Sequence, residues 1–402
     1  MAVAATPEIE TLEEESLGQR FKDNLKAGNL GSWPVILALW IIVAVFWQTA
    51  PNFGTPANFT NLITQMAGTC LLAYGVVFVL LIGEIDLSIA FVSGIAGVVV
   101  AKLQDPTGAD LTWWVCIAAA ILATTAIGAL QGSFVALIGV PSFVVTLAGF
   151  LVWQGVIQVT VPGVIVIQDD MINNSSNYFF GERAGWIMAA IVSVAYVGGM
   201  IASAISQRRH GIAMRDPILW VFKLVVVPVI AVGTVTILNK DRGVPFALLL
   251  VVASLVVWTF VAKRTTFGRH VYAVGGNAEA ARRAGINVAR IRILVFMISG
   301  AMAGLGGIVL AARLNSVDLN AGGGTLLIDA IAAAVIGGTS LFGGRGEIRH
   351  ALIGATMISV VSNGMFIKGY STGVIWIVTG LILLFAVTFD TVVRRRQIKA
   401  GR

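Results

Sequence analysis

The stretch from Thr60 to Lys102 reads TNLITQMAGTCLLAYGVVFVLLIGEIDLSIAFVSGIAGVVVAK. Two apolar runs, 60–82 and 87–103, are parted only by a tight interruption at Gly83-Glu84-Ile85-Asp86. Runs approaching 20 apolar residues match the hydrocarbon thickness of a bilayer, so this segment predicts two membrane helices joined by a short break. Outward from it the pattern repeats along the chain, at 33–50, 112–138, 142–161, 185–205, 218–238, 244–262, 293–312, 326–342, 351–367 and 373–389. The predicted fold is all-α, a polytopic transmembrane helical bundle of about 12 spans, the shorter ones broken or re-entrant.

Charge supplies the orientation. Arg20, Lys22 and Lys26 precede the first span, and later basic groups crowd into every second connection. They are Arg208, Arg209 and Arg215, then Lys263, Arg264, Arg269, Arg282, Arg283, Arg290 and Arg292, then Arg345 and Arg349, then the tail from Arg394. The alternate connections hold only Lys102, Arg183, Lys240, Arg242, Arg313 and Lys368, with Lys223 just inside a span. Cytoplasmic loops are enriched in Lys and Arg, so both termini are expected in the cytoplasm. The expected divisions are a cytoplasmic tail 1–32, a transmembrane domain 33–392 with a cytoplasmic loop 263–292, and a basic cytoplasmic tail 393–402.

Composition excludes a soluble globule: 57% of residues are hydrophobic and 12% charged, with a mean hydropathy of +0.89. The net charge of +7 lies beside apolar spans, so it marks topology and the lipid bilayer as partner, with no nucleic acid. Cys70 and Cys116 fall inside spans, which leaves no disulfide framework. Five glutamates, from Glu8 to Glu15, precede any apolar run, so no signal peptide is expected. Gly128-xxx-Gly132 and Gly300-xxx-Gly304 let helix backbones approach closely and are read as packing within the chain. The outer connection 162–184, with Asp169, Asp170 and an Asn-Ser run, is expected to lie polar on the surface. A second break, Gly337-Gly338-Thr339-Ser340-Leu341-Phe342-Gly343-Gly344, resembles the first in form and orientation, as in transporters built from repeated halves.

No Lys follows a Gly anywhere, which excludes the G-x-x-x-x-G-K-[ST] phosphate loop. His210, His270 and His350 stand in loops without Cys or carboxylate neighbours at ligand spacing, so no metal site and no catalytic residue is expected. The chain by itself is not an enzyme and binds no cofactor. The cytoplasmic loop carries a helix signal: Asn277 is a good N-cap, 278–284 are strong helix formers, and Gly285 suits the C′ position. Two turns are too few to stand alone in water. This helix must dock, on its own membrane domain or in the groove of a partner.

Thr265-Thr266-Phe267-Gly268-Arg269-His270-Val271-Tyr272-Ala273-Val274-Gly275-Gly276-Asn277, with Glu279-Ala280-Ala281 and Gly285-Ile286-Asn287-Val288, resembles the coupling loop of the permeases of monosaccharide ABC importers. The likeness extends to Glu84–Ser88, Pro141–Gly149, Asp329–Ala333 and Val335–Leu341, and covers about residues 60–390. Asp241-Arg242-Gly243-Val244-Pro245 and the extra pair of spans around it resemble the xylose-type members of this ribose/xylose/arabinose family. The resemblance implies a bacterial inner-membrane importer subunit that pairs with a second copy of itself. Separate ABC ATPase subunits holding ATP and Mg would work beneath it, and an extracytoplasmic sugar-binding protein would deliver the sugar. It also makes Asn277, Glu279, Ala280, Ala281 and Gly285 the ATPase-coupling helix. The Leu-Pro that often closes such a motif is absent.

Individual residues carry two readings each. Ionisable groups at membrane depth are costly and mark function; Glu84 is either a gate or a structural contact, while Asp86 and Asp329 sit where helix-start carboxylates belong. A sugar path needs neutral hydrogen-bonding groups and aromatic faces. Trp153, Gln154, Thr339, Ser340 and Asn363, with Glu84, are the path candidates, each open to the alternative of an interhelical hydrogen bond. Two other functions fit the pattern: an ion-coupled secondary sugar transporter, and an ABC permease for a nucleoside, an amino acid or a furanose signal.

Overall fold

The computed structural model describes residues 33–211 and 217–399; the tail 1–32, Arg215 and residues 400–402 lie outside them. Each predicted apolar run contains a helix. In order these are α1 (Trp33–Thr49), α2 (Pro56–Leu81), α3 (Ile89–Leu103), α4 (Trp113–Ser133, continued by a π turn to Ile138) and α5 (Ser142–Thr160). After them come α6 (Asp170–Asn177), α7 (Glu182–Arg209), α8 (Pro217–Leu238), α9 (Phe246–Arg264), α10 (Thr266–Gly276) and α11 (Ala278–Arg283). The last are α12 (Val288–Leu314), α13 (Leu326–Ile336), α14 (Ile348–Ile367) and α15 (Thr372–Lys399). Among the described residues eight helices are long and apolar enough to cross a membrane. Four apolar helices are shorter: Val35–Thr49, α3, α13 and Thr372–Thr388.

Three expectations need correction. The chain is not purely helical: β1 (Val164–Val166) pairs antiparallel with β4 (Ser316–Asp318), and β2 (Phe179–Phe180) with β3 (Val244–Pro245). The run 326–342 stops being helix at Ile336. Eleven residues rise about 16 Å, roughly half the hydrocarbon core. Gly338 then takes a φ of +97°, which only glycine adopts without strain, and turns the chain into the second break. The connection 162–184 is more than a polar surface loop. The Asp169 carboxylate accepts from the Met171 and Ile172 amides to cap α6, whose Ile172 is fully buried.

The interior is built on α2 and α12. α2 starts cleanly, with Pro56 in its first turn and Thr55 Oγ1 accepting from the Asn58 amide, and it buries Cys70–Leu81 on all sides. A helix apolar all round belongs inside a bundle. α12 crosses α4 where the two glycine runs face each other: a Cβ on Gly128 would strike the Phe296 carbonyl, and one on Gly300 the Thr124 carbonyl. The runs are therefore packing surfaces within the chain. Around this centre, α1, α5, α7, α8 and α15 present large apolar side chains such as Trp40, Leu151, Ile191, Val229 and Phe385 on exposed faces, the signature of contact with lipid. α7 and α8 pack against each other, while α8 and α9 are the two helices that flank residues 241–245.

The connections collect at two ends. One end gathers 82–88, 139–141, 265–287 and 337–347, together with Lys263, Arg264, Arg269, Arg282, Arg283, Arg290, Arg292, Arg345 and Arg349. The opposite end gathers both strand ladders, with Gln104 bonded to the backbone at Val166 and Gln168, and Asn177 to Asn315.

Candidate functional site

The basic end holds the candidate site, and α11 is its outermost part. Asn277 Oδ1 accepts from the Ala280 amide at 3.0 Å, and the helix closes with Ile286 N–H bonded to the Ala281 carbonyl and Gly285 N–H to that of Arg282. Gly285 stands at φ +84°, the left-handed C′ position such a closure requires. Glu279 pairs with Arg282 at 3.1 Å and Arg283 at 3.2 Å on the exposed surface. Ala281 is buried against the membrane domain, while Glu279, Ala280, Arg282, Arg283 and Ala284 face outward. The helix thus docks through one face and leaves the other free.

Behind it lies α10, a helix the sequence reading missed. Thr265 Oγ1 caps it by accepting from the Gly268 amide. Phe267, Val271 and Val274 fall at helical spacing, with both valines buried in the core. That periodicity was the available signal, masked by Gly268, Gly275 and Gly276. Asn277 is at once the C-terminal neighbour of α10, its amide bonded to the Ala273 carbonyl, and the cap of α11.

α10 ends against the two breaks, which meet each other. The Gly344 amide donates to the Leu81 carbonyl at 2.9 Å, and Gly343 packs on the Gly83 backbone. Tyr272 Oη donates to the Gly346 carbonyl at 2.8 Å. Lys263 Nζ lies 2.8 Å from Glu347, which also pairs with Arg349. Burial alone would raise the Glu347 carboxyl, but the Lys263 hydrogen bond and the Arg349 charge hold it below its ordinary value. Burial, helped by the Glu347 charge, raises the Tyr272 hydroxyl above its own, so it stays protonated and able to donate.

The first break is wired to three further helices. Glu84 Oε1 lies 3.0 Å from Arg292 Nη2 on α12. The Ile85 amide donates to Ser142 Oγ, and its carbonyl accepts from Thr146 Oγ1, both on α5. Asp86 is 7% exposed; Oδ1 accepts from the Ser88 amide and hydroxyl, and Oδ2 accepts from Ser299 on α12 at 2.8 Å. Ser88 Oγ lies 2.9 Å from Gln131 Oε1 on α4. Asp86 is not the cap of α3, whose N-cap is Ser88; it closes a turn on Ser88 just before the helix and bridges to α12. Asp329 accepts from Thr325 Oγ1 at 2.8 Å at the start of α13.

The six path candidates do not converge. Glu84, Thr339 and Ser340 lie at the basic end, where Ser340 Oγ accepts from the Phe342 amide and the buried Thr339 Oγ1 has no hydrogen-bond partner. Trp153 and Gln154 are half-buried on α5, with Trp153 Nε1 buried and unpartnered. Asn363 lies toward the opposite end, in a reciprocal pair with Asn58 on α2 at 3.0 Å each way.

The model of the family described as "Branched-chain amino acid transport system / permease component" matches residues 58–387. The chain is 37% identical to the xylose transport system permease protein of Escherichia coli, over 93% of this chain and 95% of that protein. It is 35% identical to the xylose transport system permease protein of Haemophilus influenzae, over 91% and 98%. It is 32% identical to the ribose import permease protein of Escherichia coli, over 88% and 92%. No solved structure matches the chain.

Proposed function

This chain belongs to the family of the branched-chain amino acid transport system permease components, and from that premise we propose that it is the membrane-spanning subunit of a sugar importer of the ABC class. The cargo is a monosaccharide, D-xylose or a sugar of similar shape. One observation carries the reading: likeness to a xylose permease over 93% of the chain, a length that takes in both breaks and the segment 265–287.

The architecture supports a division of labour. The chain lacks a phosphate-binding loop, so ATP and Mg²⁺ belong on a separate ATPase. The exposed face of α11, with Asn277, Glu279, Ala280 and Gly285, is the surface that ATPase engages, while Ala281 anchors the helix from below. The basic end faces the cytoplasm, since Lys and Arg concentrate there, and twelve membrane segments, the half-length α13 among them, put both termini inside. A binding protein delivers sugar to the opposite end, and a second copy of the chain completes the translocation path in the bacterial inner membrane. Thr339 Oγ1 and Trp153 Nε1 are the path candidates buried without a hydrogen-bond partner, with hydrogen-bonding capacity to spare.

The test is uptake of labelled D-xylose in cells stripped of their own pentose permeases and supplied with this chain, its ATPase and its binding protein. Accumulation that stops when the ATPase is inactivated is the expected result. Accumulation that persists without ATP and collapses with the proton gradient would replace this reading with an ion-coupled one.

A further inference from the structure

We propose that α10 joins the two breaks into a single gate, with Gly275 and Tyr272 as the positioning residues that carry movement of α11 to both. The inference rests on the importer reading above and assigns a role to a helix that lies behind the coupling surface.

Each contact in the chain of transmission is short. Asn277 belongs to both α10 and α11, so a push on α11 enters α10 through one residue. Two residues before Asn277, at the same end of α10, Gly275 meets the last residue of α2 and the second break backbone to backbone: a Cβ there would overlap the Leu81 carbonyl oxygen and crowd the Gly344 amide. No side chain lies between to yield, and close-packed interiors transmit displacement because they scarcely compress. One turn earlier, Tyr272 Oη holds the Gly346 carbonyl in the second break and so fixes the rotation of α10 on its seat. The Gly344–Leu81 hydrogen bond then ties the breaks to each other. Gly83, Gly338, Gly343, Gly344 and Gly346 all hold positive φ, so these linkages bear on backbone outside regular helix on both sides. A displaced α10 moves two breaks together.

A neighbouring residue supplies the control. A Cβ on Gly276 would meet nothing within 4 Å, although it is as much a helical glycine as Gly275. The full complex, with its ATPase and binding protein, is reconstituted in vesicles, and sugar uptake and ATP hydrolysis are measured together. Gly275→Ala and Tyr272→Phe should each lower the sugar moved per ATP by about fivefold, the scale of one hydrogen bond or tight contact. Gly276→Ala should match the parent. Tyr272→Phe keeps the ring and decides the matter alone if Gly275→Ala fails to assemble. Unchanged sugar per ATP in Tyr272→Phe and Gly275→Ala, or uptake and hydrolysis falling in equal proportion, overturns the inference. Parental uptake that needs no ATP overturns the importer reading, and the inference falls with it.

Discussion

The carboxylate of Glu84 meets the guanidinium of Arg292 at 3.0 Å, binding the first break to the opening turns of α12. Both side chains are mostly buried, and Arg292 Nε has no hydrogen-bond partner, so losing Glu84 leaves a cation in poor surroundings. Glu84→Gln should cost about 1–2 kcal/mol. Arg292→Glu should cost more, by placing two carboxylates together. The paired exchange Glu84→Arg with Arg292→Glu should recover part of the loss. Thermal unfolding in detergent of the parent, Glu84→Arg, Arg292→Glu and the double variant measures the coupling; strictly additive effects would show that the ion pair contributes nothing.

Asn363 and Thr339 should separate cleanly. Asn363→Ala removes both bonds to Asn58 and strands a part-buried amide, at about 1–3 kcal/mol. Thr339→Val exchanges a hydroxyl without a partner for a methyl group, and its stability should stay within about 0.5 kcal/mol of the parent. If Thr339 meets sugar, the same variant raises the half-saturating sugar concentration for uptake. An unchanged value would remove Thr339 from the path.

At the α4–α12 crossing, Gly300→Leu should prevent assembly, since even a Cβ there meets the Thr124 carbonyl. Overpacking of this kind costs about 1–3 kcal/mol or more. Gly155→Ala on α5 meets nothing within 4 Å and should express at parental level. Yield of monodisperse protein after detergent extraction distinguishes them.

Acid should loosen the basic end through Glu347. Its folded value is depressed, so its contribution is present above the ordinary carboxyl value of 4.5 and is lost as pH falls through the lower folded value. Melting temperatures of parent and Glu347→Gln should therefore converge as pH falls below 4.5 and through the lower folded value. A constant gap between them down to pH 3 would mean that the Lys263 and Arg349 contacts do not act through this charge.

Helices were legible in the sequence because a bilayer imposes one blunt requirement, a long apolar run, and runs such as 60–82 and 218–238 meet it without ambiguity. The cap at Asn277 and the terminator at Gly285 were legible because each acts within a few residues of itself. What escaped is what depends on distant neighbours. Nothing near Asn363 announces Asn58, nor does anything near Gly275 announce Leu81. The strands of β1 and β4 are three residues each, too short to carry a period. α10 hid behind its glycines, which read locally as loop and are required by close approach.

The strand ladders at the opposite end bear on which way the molecule can yield. Backbone pairs from Val164–Asp318 to Val166–Ser316 rivet the segment after α5 to the segment after α12, and Phe179–Pro245 and Phe180–Val244 do the same between α6 and α9. Prising the chain apart from that side would break these rungs together, whereas the basic end is held by side-chain contacts, glycine turns and the single Gly344–Leu81 backbone hydrogen bond. The molecule is built like a clothes-peg, sprung at one end and free at the other, so the segments of this chain part more readily at the basic end than on the riveted side.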